Sequence, residues 1–344
     1  MPAKSARRKP ARKASIPAKS PASTPPPTTR SARSAIVIAV VGAVVVAAVV
    51  AFLLWRESEP EALAAGGEPG VIARVESLYN DIYVYKRSNG FYTLSFGAER
   101  LRYTESIVNP DDELDLPVYY TQSMTAGLAY APALEDAAIV GLGGGRTAWY
   151  HHKSVPGMHM TAVELDPAVA QIADQFFSVR SEENFDVEVM DGRVWLTKND
   201  RDFDIIMVDA YRGPFVPFHL LTTEFYELVS QRLKPGGVVV QNVEPSTMLF
   251  DSAVATIASA FDHLVFFEGS GNIVILAYDG PEKDEAELER IAAERQAEYG
   301  FRYPLPEILK RRYMPEATTA KPLTDDFAPV EYLKAIERHN EKQT

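Results

Sequence analysis

Apolar and polar positions follow three different rhythms along the chain. The first is the run AIVIAVVGAVVVAAVVAFLLW, 21 residues from Ala35 to Trp55 without a charge. At about 1.5 Å per residue, a helix of this length crosses a hydrocarbon core of about 30 Å. Lipid offers the backbone no partner outside the helix, so the run predicts a transmembrane helix over 35–55. The second rhythm, from Val71 to Thr104, is short and alternating: VIARVES, DIYVYKR, FYTLSFG and RLRYTES, broken at Asn80-Asp81 and Ser88-Asn89-Gly90. A period of two between turn formers predicts three or four antiparallel strands, a small β domain over 71–117 that ends in the polar loop NPDDELDLP. A helix over Tyr119–Ala129 follows.

From Ala137 the rhythm changes again. The strands AAIVGL, HMTAVEL, DVEVM, DIIMVDA and GGVVVQNV alternate with helical patterns that include 167–177, 222–233 and 247–261. Regular alternation implies parallel crossover units and an open sheet covered on both faces. The last two strands, LVFFEG and NIVILAYD, are separated only by the turn at 270–272, which predicts an antiparallel hairpin at the sheet edge. The fold class is therefore α/β, a Rossmann-like sheet with antiparallel final strands over 118–280. The small β domain and the membrane helix precede it. A C-terminal helical tail over 281–344 follows, with a charged helix near 281–300.

Charge separates the ends of the chain. Residues 1–34 carry nine Lys and Arg and no acid, whereas the other 310 residues hold 26 basic against 47 acidic side chains, a net of −21. The tail is rich in Pro, Ala and Ser and has almost no large apolar residue, so it is expected to be disordered. Cations before the apolar run and mainly Glu after it predict a cytoplasmic N-terminus, with the globular part outside the cytoplasm. A cleaved signal peptide is the rival reading, given the pattern Ala62-Leu63-Ala64, but the apolar run is long for one and the pattern lies far from it. Residues 56–70 read as a linker. The chain has no cysteine, which removes disulfide and thiol chemistry. The basic tail could form a nucleic-acid arm, but the apolar run that follows it favours a place beside the membrane, and no nucleic-acid partner is expected.

In an open α/β sheet, ligands lie outside the carboxyl ends of the strands. Gly141, Gly143, Gly144 and Gly145 follow the strand DAAIV and precede a helix. Glu164 ends the second strand, 19 residues after Gly145, where an acid can accept from both ribose hydroxyls. Asp191 and Gly192 end the third strand and could read an adenine amine, and Asp209 ends the fourth. Together they point to a nucleoside cleft. The turn lacks the spaced third glycine of a pyrophosphate fingerprint, and VELDP followed by DG is the S-adenosylmethionine-type arrangement. His151-His152 resembles a metal pair, but helical neighbours point apart, and no metal is expected. Asp325-Asp326 could bind a cation, cap a helix or order the tail over the site.

The motifs YNDIYV, GLGGG, AVELDP, VMDGR, FDIIMVDA and LLTTEFYELVSQRLKPGGVVVQN resemble the spermidine synthases (polyamine aminopropyltransferases) over roughly 75–242. The tail LTDDFAP is similar to the membrane-associated branch of that family. The resemblance implies aminopropyl transfer from decarboxylated S-adenosylmethionine to an amine. Glu164 would then bind the ribose, Asp191 with Gly192 the adenine, and Asp209 would accept the proton. Asn80, beside Tyr79, falls where the family has a donor-contacting Gln.

Two departures bear on the substrate. Arg146 stands where the resemblance expects an Asp after the glycine turn. Arg212 stands where a second acid would face the diamine. Each exchange changes the local charge by two units, which predicts weakened diamine binding and a ligand whose carboxylate meets Arg146; alternatively both arginines point to solvent or pair with Glu135, Asp136 or Asp209. The family's Tyr-His-Glu segment is missing, with YYTQSM near its place, and His219 lies in the Asp209 loop as a further contact candidate. Three functions follow: an aminopropyl or alkyl transferase with decarboxylated or intact S-adenosylmethionine as co-substrate and an amine or other acceptor; a non-catalytic membrane-tethered scaffold; and an S-adenosylmethionine-dependent methyltransferase. A homodimer is left open.

Overall fold

The computed structural model describes residues 61–62, 69–97, 103–211, 215–247, 249–315 and 318–326. The basic tail, the apolar run 35–55, most of the linker and Arg212 lie outside these residues. Among the described residues, no helix is long and apolar enough to cross a membrane. All of them belong to one compact unit.

A five-stranded antiparallel meander comes first: β1 Glu61–Ala62, β2 Gly70–Glu76, β3 Asp81–Lys86, β4 Tyr92–Phe96 and β5 Tyr103–Val108. It has one or two strands more than the alternation predicts. The second sheet comprises β6 Asp136–Val140, β7 His159–Glu164, β8 Phe185–Val189, β9 Phe203–Val208, β10 Leu233–Val243, β11 His263–Glu268, β12 Ile273–Tyr278 and β13 Arg312–Tyr313. Its order is β13-β11-β12-β10-β9-β6-β7-β8. The five strands from β6 to β10 are parallel, and β12, β11 and β13 are antiparallel.

Register explains how both faces are covered. On one side Ala137, Ile139, Met160, Ile205, Met207 and Val240 share a core with helices α1 Tyr119–Met124, α2 Gly127–Tyr130, α3 Arg146–Ser154, α4 Pro167–Phe177, α8 Glu285–Tyr299 and α9 Leu305–Leu309. The inner face of the meander, through Ile82, Leu94 and Val108, belongs to the same core. On the other side Ala138, Val140, Ile206, Val208 and Val239 pack on α5 Gly192–Lys198, α6 Thr223–Gln231 and α7 Phe250–Ala260. The central strand β9 is buried at all six positions, and apart from Asp204, which Lys234 pairs, it reads as an apolar run.

Two elements differ from expectation. The helix expected over Tyr119–Ala129 is divided at Thr125. The hydroxyls of Thr121 and Thr125 donate to the carbonyls of Val118 and Gln122 at 2.6 Å each, and the turn tightens to i−3 bonds. The C-terminal segment is not wholly helical. Its pair Arg312–Tyr313 adds an eighth strand through Phe266 and Phe267, although the surrounding sequence is polar and carries no strand pattern.

Candidate functional site: an acid-walled cleft over the strand ends

A cavity of about 810 Å³ opens where β6, β7, β9 and β10 end and β8 runs into α5. The sheet supplies Gly141–Gly143, Glu164–Asp166, Asp191, Gly192, Asp209–Tyr211, Asn242 and Glu244. The meander roofs it with Tyr79, Asn80, Phe96 and residues 103–107, and the short 3-10 turn Phe218–Leu220 brings His219 to its side. Two glycines are dictated by close approach. Gly141 has φ 98°, and a Cβ there would lie 2.3 Å from the Asp209 carbonyl. A Cβ on Gly192 would lie 2.3 Å from Val140, so only glycine lets α5 start against β6.

Glu164 ends β7 with its carboxylate under the glycine turn. Oε2 accepts from the amides of Leu142 at 3.1 Å and Gly143 at 3.4 Å, and Oε1 accepts from Asp166 at 3.0 Å. Burial raises its pKa and these amides oppose the rise. The backbone thus fixes the acid while lone pairs remain for a ligand's hydroxyls. Asp191 caps α5 through the Val194 amide at 2.9 Å and meets His219 Nε2 at 2.7 Å. The histidine bond lowers its pKa. His219 therefore sits at the cavity wall on the adenine-side candidate.

Asp209 directly follows β9 and lines the cavity. Asn242 Nδ2 donates to Oδ1 at 2.9 Å and the Tyr120 hydroxyl donates to Oδ2 at 3.2 Å. Burial pushes its carboxyl up to about 6 although both donors favour the charged form. Asn272 Nδ2 donates to Asn242 Oδ1 at 3.0 Å, which orients the amide. A buried carboxylate near neutrality, held at both oxygens, is equipped to take a proton from a ligand.

Arg146 does not line the cavity, so the structure does not support the expectation that it meets a ligand's carboxylate there. It opens α3 one residue beyond the turn, is 7% exposed, and donates to the Glu113 carbonyl at 3.3 Å. Burial lowers its pKa, and the charges of Glu113, Asp112 and Asp115 in the 109–117 loop oppose that. The helical geometry directs a first-turn side chain back over the preceding loop. Gly144 and Gly145 do not line the cavity either. The Gly144 amide donates to Ser106 Oγ at 2.9 Å, and Gly145 packs on Val179. His151 is buried on the Thr147 carbonyl, with its pKa lowered to about 4 by burial, while His152 meets Glu182.

Tyr120, Asn242, Glu105, Glu244 and Arg193 are site or near-site residues that the sequence reading does not single out. Asn242 and Glu244 had a signal: both stand at the carboxyl end of a buried strand, the place that marks Glu164 and Asp209. Tyr120 had a weaker one, in YYTQSM. Glu105 comes from the meander, which strand-end reasoning does not reach.

An eight-stranded sheet with antiparallel final strands and an acid-walled cleft above its parallel strand ends defines the Rossmann-like, methyltransferase-type class. A family model described as the spermine/spermidine synthase domain matches residues 119–269. The polyamine aminopropyltransferase of Vibrio vulnificus is 32% identical over 284 residues, covering 78% of this chain and 93% of that protein. A probable polyamine aminopropyl transferase of Bifidobacterium longum is 29% identical over 287 residues, 75% of this chain and 61% of that protein. A probable spermidine synthase structure from Corynebacterium glutamicum has a TM-score of 0.59 at 21% identity, covering 77% of this chain and 99% of that one, a likeness of fold. The chain belongs to the polyamine aminopropyltransferase family, a family of transferases.

Proposed function

We propose that this protein transfers an aminopropyl group from decarboxylated S-adenosylmethionine to an amine. The observation that carries the reading is the charge of the cavity. Glu105, Glu164, Asp166, Asp191, Asp209 and Glu244 line it, and no Lys or Arg does among the described residues. Such a cleft attracts cations. The decarboxylated donor offers a sulfonium and an ammonium and no carboxylate, and an amine acceptor is cationic until it reacts. Intact S-adenosylmethionine would bring its carboxylate among acids, which speaks against the methyltransferase reading. Arg146 does not line the cavity and Arg212 lies outside the described residues, so among the described residues no cation favours an anionic ligand there.

In the reaction the neutral amine nitrogen attacks the propyl carbon bonded to sulfur. The N–C bond forms as the C–S bond breaks, the bonding pair passes to sulfur, and methylthioadenosine leaves as a neutral thioether. The proton lost by the attacking nitrogen goes to Asp209. Glu164 holds the ribose hydroxyls and Asp191 with Gly192 faces the base. By the same proposal, residues 35–55 anchor the enzyme in a membrane with the globular part outside the cytoplasm, on the sequence evidence of charge and apolar length.

Calorimetry on the full chain in detergent tests the reading. The decarboxylated donor should bind at least tenfold tighter than S-adenosylmethionine, Glu164→Gln should weaken both, and methylthioadenosine should form when putrescine is added. Tighter binding of the carboxylated ligand would refute it.

A further inference from the structure

Residues 323–325 reach back toward the cavity wall. Leu323 is buried, its amide donates to Thr256 Oγ1 at 2.8 Å, and its carbonyl accepts from the Thr223 amide at 2.8 Å. Two residues on, Asp325 receives both ends of the Arg193 guanidinium, at 2.7 and 2.6 Å, and the Thr222 hydroxyl at 2.8 Å. Its amide donates to Glu224 at 3.0 Å. Arg193 directly follows Asp191 and Gly192. Its NH1 also donates to the His219 carbonyl at 3.1 Å, and the His219 ring is 2.7 Å from Asp191. The contacts close a circuit from tail to α5, to the 3-10 turn, and back to the cavity acid.

We propose that Asp325 is a positioning residue for the nucleoside end of the cavity: through Arg193 it holds the Asp191–His219 wall in place, so the tail segment 323–325 completes the site. The inference rests on the functional reading above. The planar fork of Arg193 is matched by one carboxylate in bidentate geometry. Its other acidic neighbours are Glu224 and Asp191. Without Asp325 the guanidinium turns to Asp191, competes with His219 for it, and releases its hold on the His219 carbonyl. The pair is partly exposed, at 22% and 41% of the two side chains, so its contribution to overall stability is small. The effect belongs at the site.

Asp325→Asn in the full chain tests this. Expected are an approximately tenfold weaker dissociation constant for methylthioadenosine and a donor KM raised to match. kcat should stay within about threefold and the unfolding midpoint within a few degrees. Asp325→Glu should recover most of the affinity, and Arg193→Lys should behave like Asp325→Asn because lysine has no fork. Hydrogen exchange of amides 218–222 should accelerate at least fivefold in Asp325→Asn, whether or not a ligand binds. Unchanged affinity and exchange would overturn the proposal. So would a loss that Asp325→Glu does not restore, or one that tracks a large fall in midpoint, since either assigns Asp325 to the fold alone. If the unaltered chain binds no nucleoside, the functional reading falls, and the exchange measurement still decides the clamp.

Discussion

Asp209 is both the proposed proton acceptor and a strained feature of the fold, and the two roles predict opposite effects of one substitution. Its carboxyl stands at about 6 where an ordinary one stands at 3.8. Because the folded state holds the proton more tightly than the unfolded chain, stability falls as pH rises through this window. The cost is fully present above pH 6, at about 3 kcal/mol as an upper limit. Asp209→Asn should therefore raise the unfolding midpoint at pH 7.5 while lowering kcat about 10²- to 10⁴-fold, the usual worth of a positioned base. Asn242 sharpens the test. It is 1% exposed and donates to Oδ1, and a hydrogen bond to a charged group is worth about 1.5–3 kcal/mol. Asn242→Ala should lift the carboxyl by about one unit or more, from about 6 to beyond 7. The assay is kcat against pH, followed by methylthioadenosine release at saturating donor and diamine. The acidic limb should move up with Asn242→Ala and disappear with Asp209→Asn. An unmoved limb, or an Asp209→Asn enzyme within threefold of the original, would show that another group takes the proton.

Two further outcomes follow from the geometry. Arg146→Met should leave stability within about 1 kcal/mol, because the burial cost of the cation offsets its hydrogen bond to the 109–117 loop. It should leave the donor KM within threefold; a large KM change would return Arg146 to the cavity. Gly192→Ala pushes a methyl to within 2.3 Å of Val140, so α5 must shift. Nucleoside affinity is expected to fall at least tenfold in calorimetry, and preserved affinity would mean that the start of α5 is not part of the site.

The large sheet was legible because its signal is periodic and local. Apolar strands such as Phe203–Val208 alternate with amphipathic helices, and Pro167–Phe177 announces itself with an Asp cap and a proline at its first position. Acids at strand ends were legible by the same rule that places ligands there. Side-chain direction was not. Arg146 is one residue from the glycine turn in sequence, yet the start of a helix turns it to the other side of the loop. Nor could spacing bring Tyr120 or Asn242 to Asp209, because those contacts join segments 89 and 33 residues apart. The Asp325 clamp spans 132 residues and depends on where Leu323 docks. Strand β1, which falls in the stretch read as linker, and strand β13 are two residues each, too short to carry a pattern, and pairing with already formed neighbours decides them.

The meander is tied to the glycine turn by Ser106 and to the cap of α4 by Ser77, whose hydroxyl donates to Asp166 at 2.5 Å. These two serines are the bolts of a canopy. A segment cut to residues 119–269, the span the family model covers, would keep the floor of strand ends and lose every group above it. A sulfonium lying in that open trough would face bulk water as a rival to the amine. Under the proposed function the cleft thus depends on sequence upstream of the span the family model covers, since Tyr79, Asn80, Phe96 and residues 103–107 line the side that the strand ends leave open.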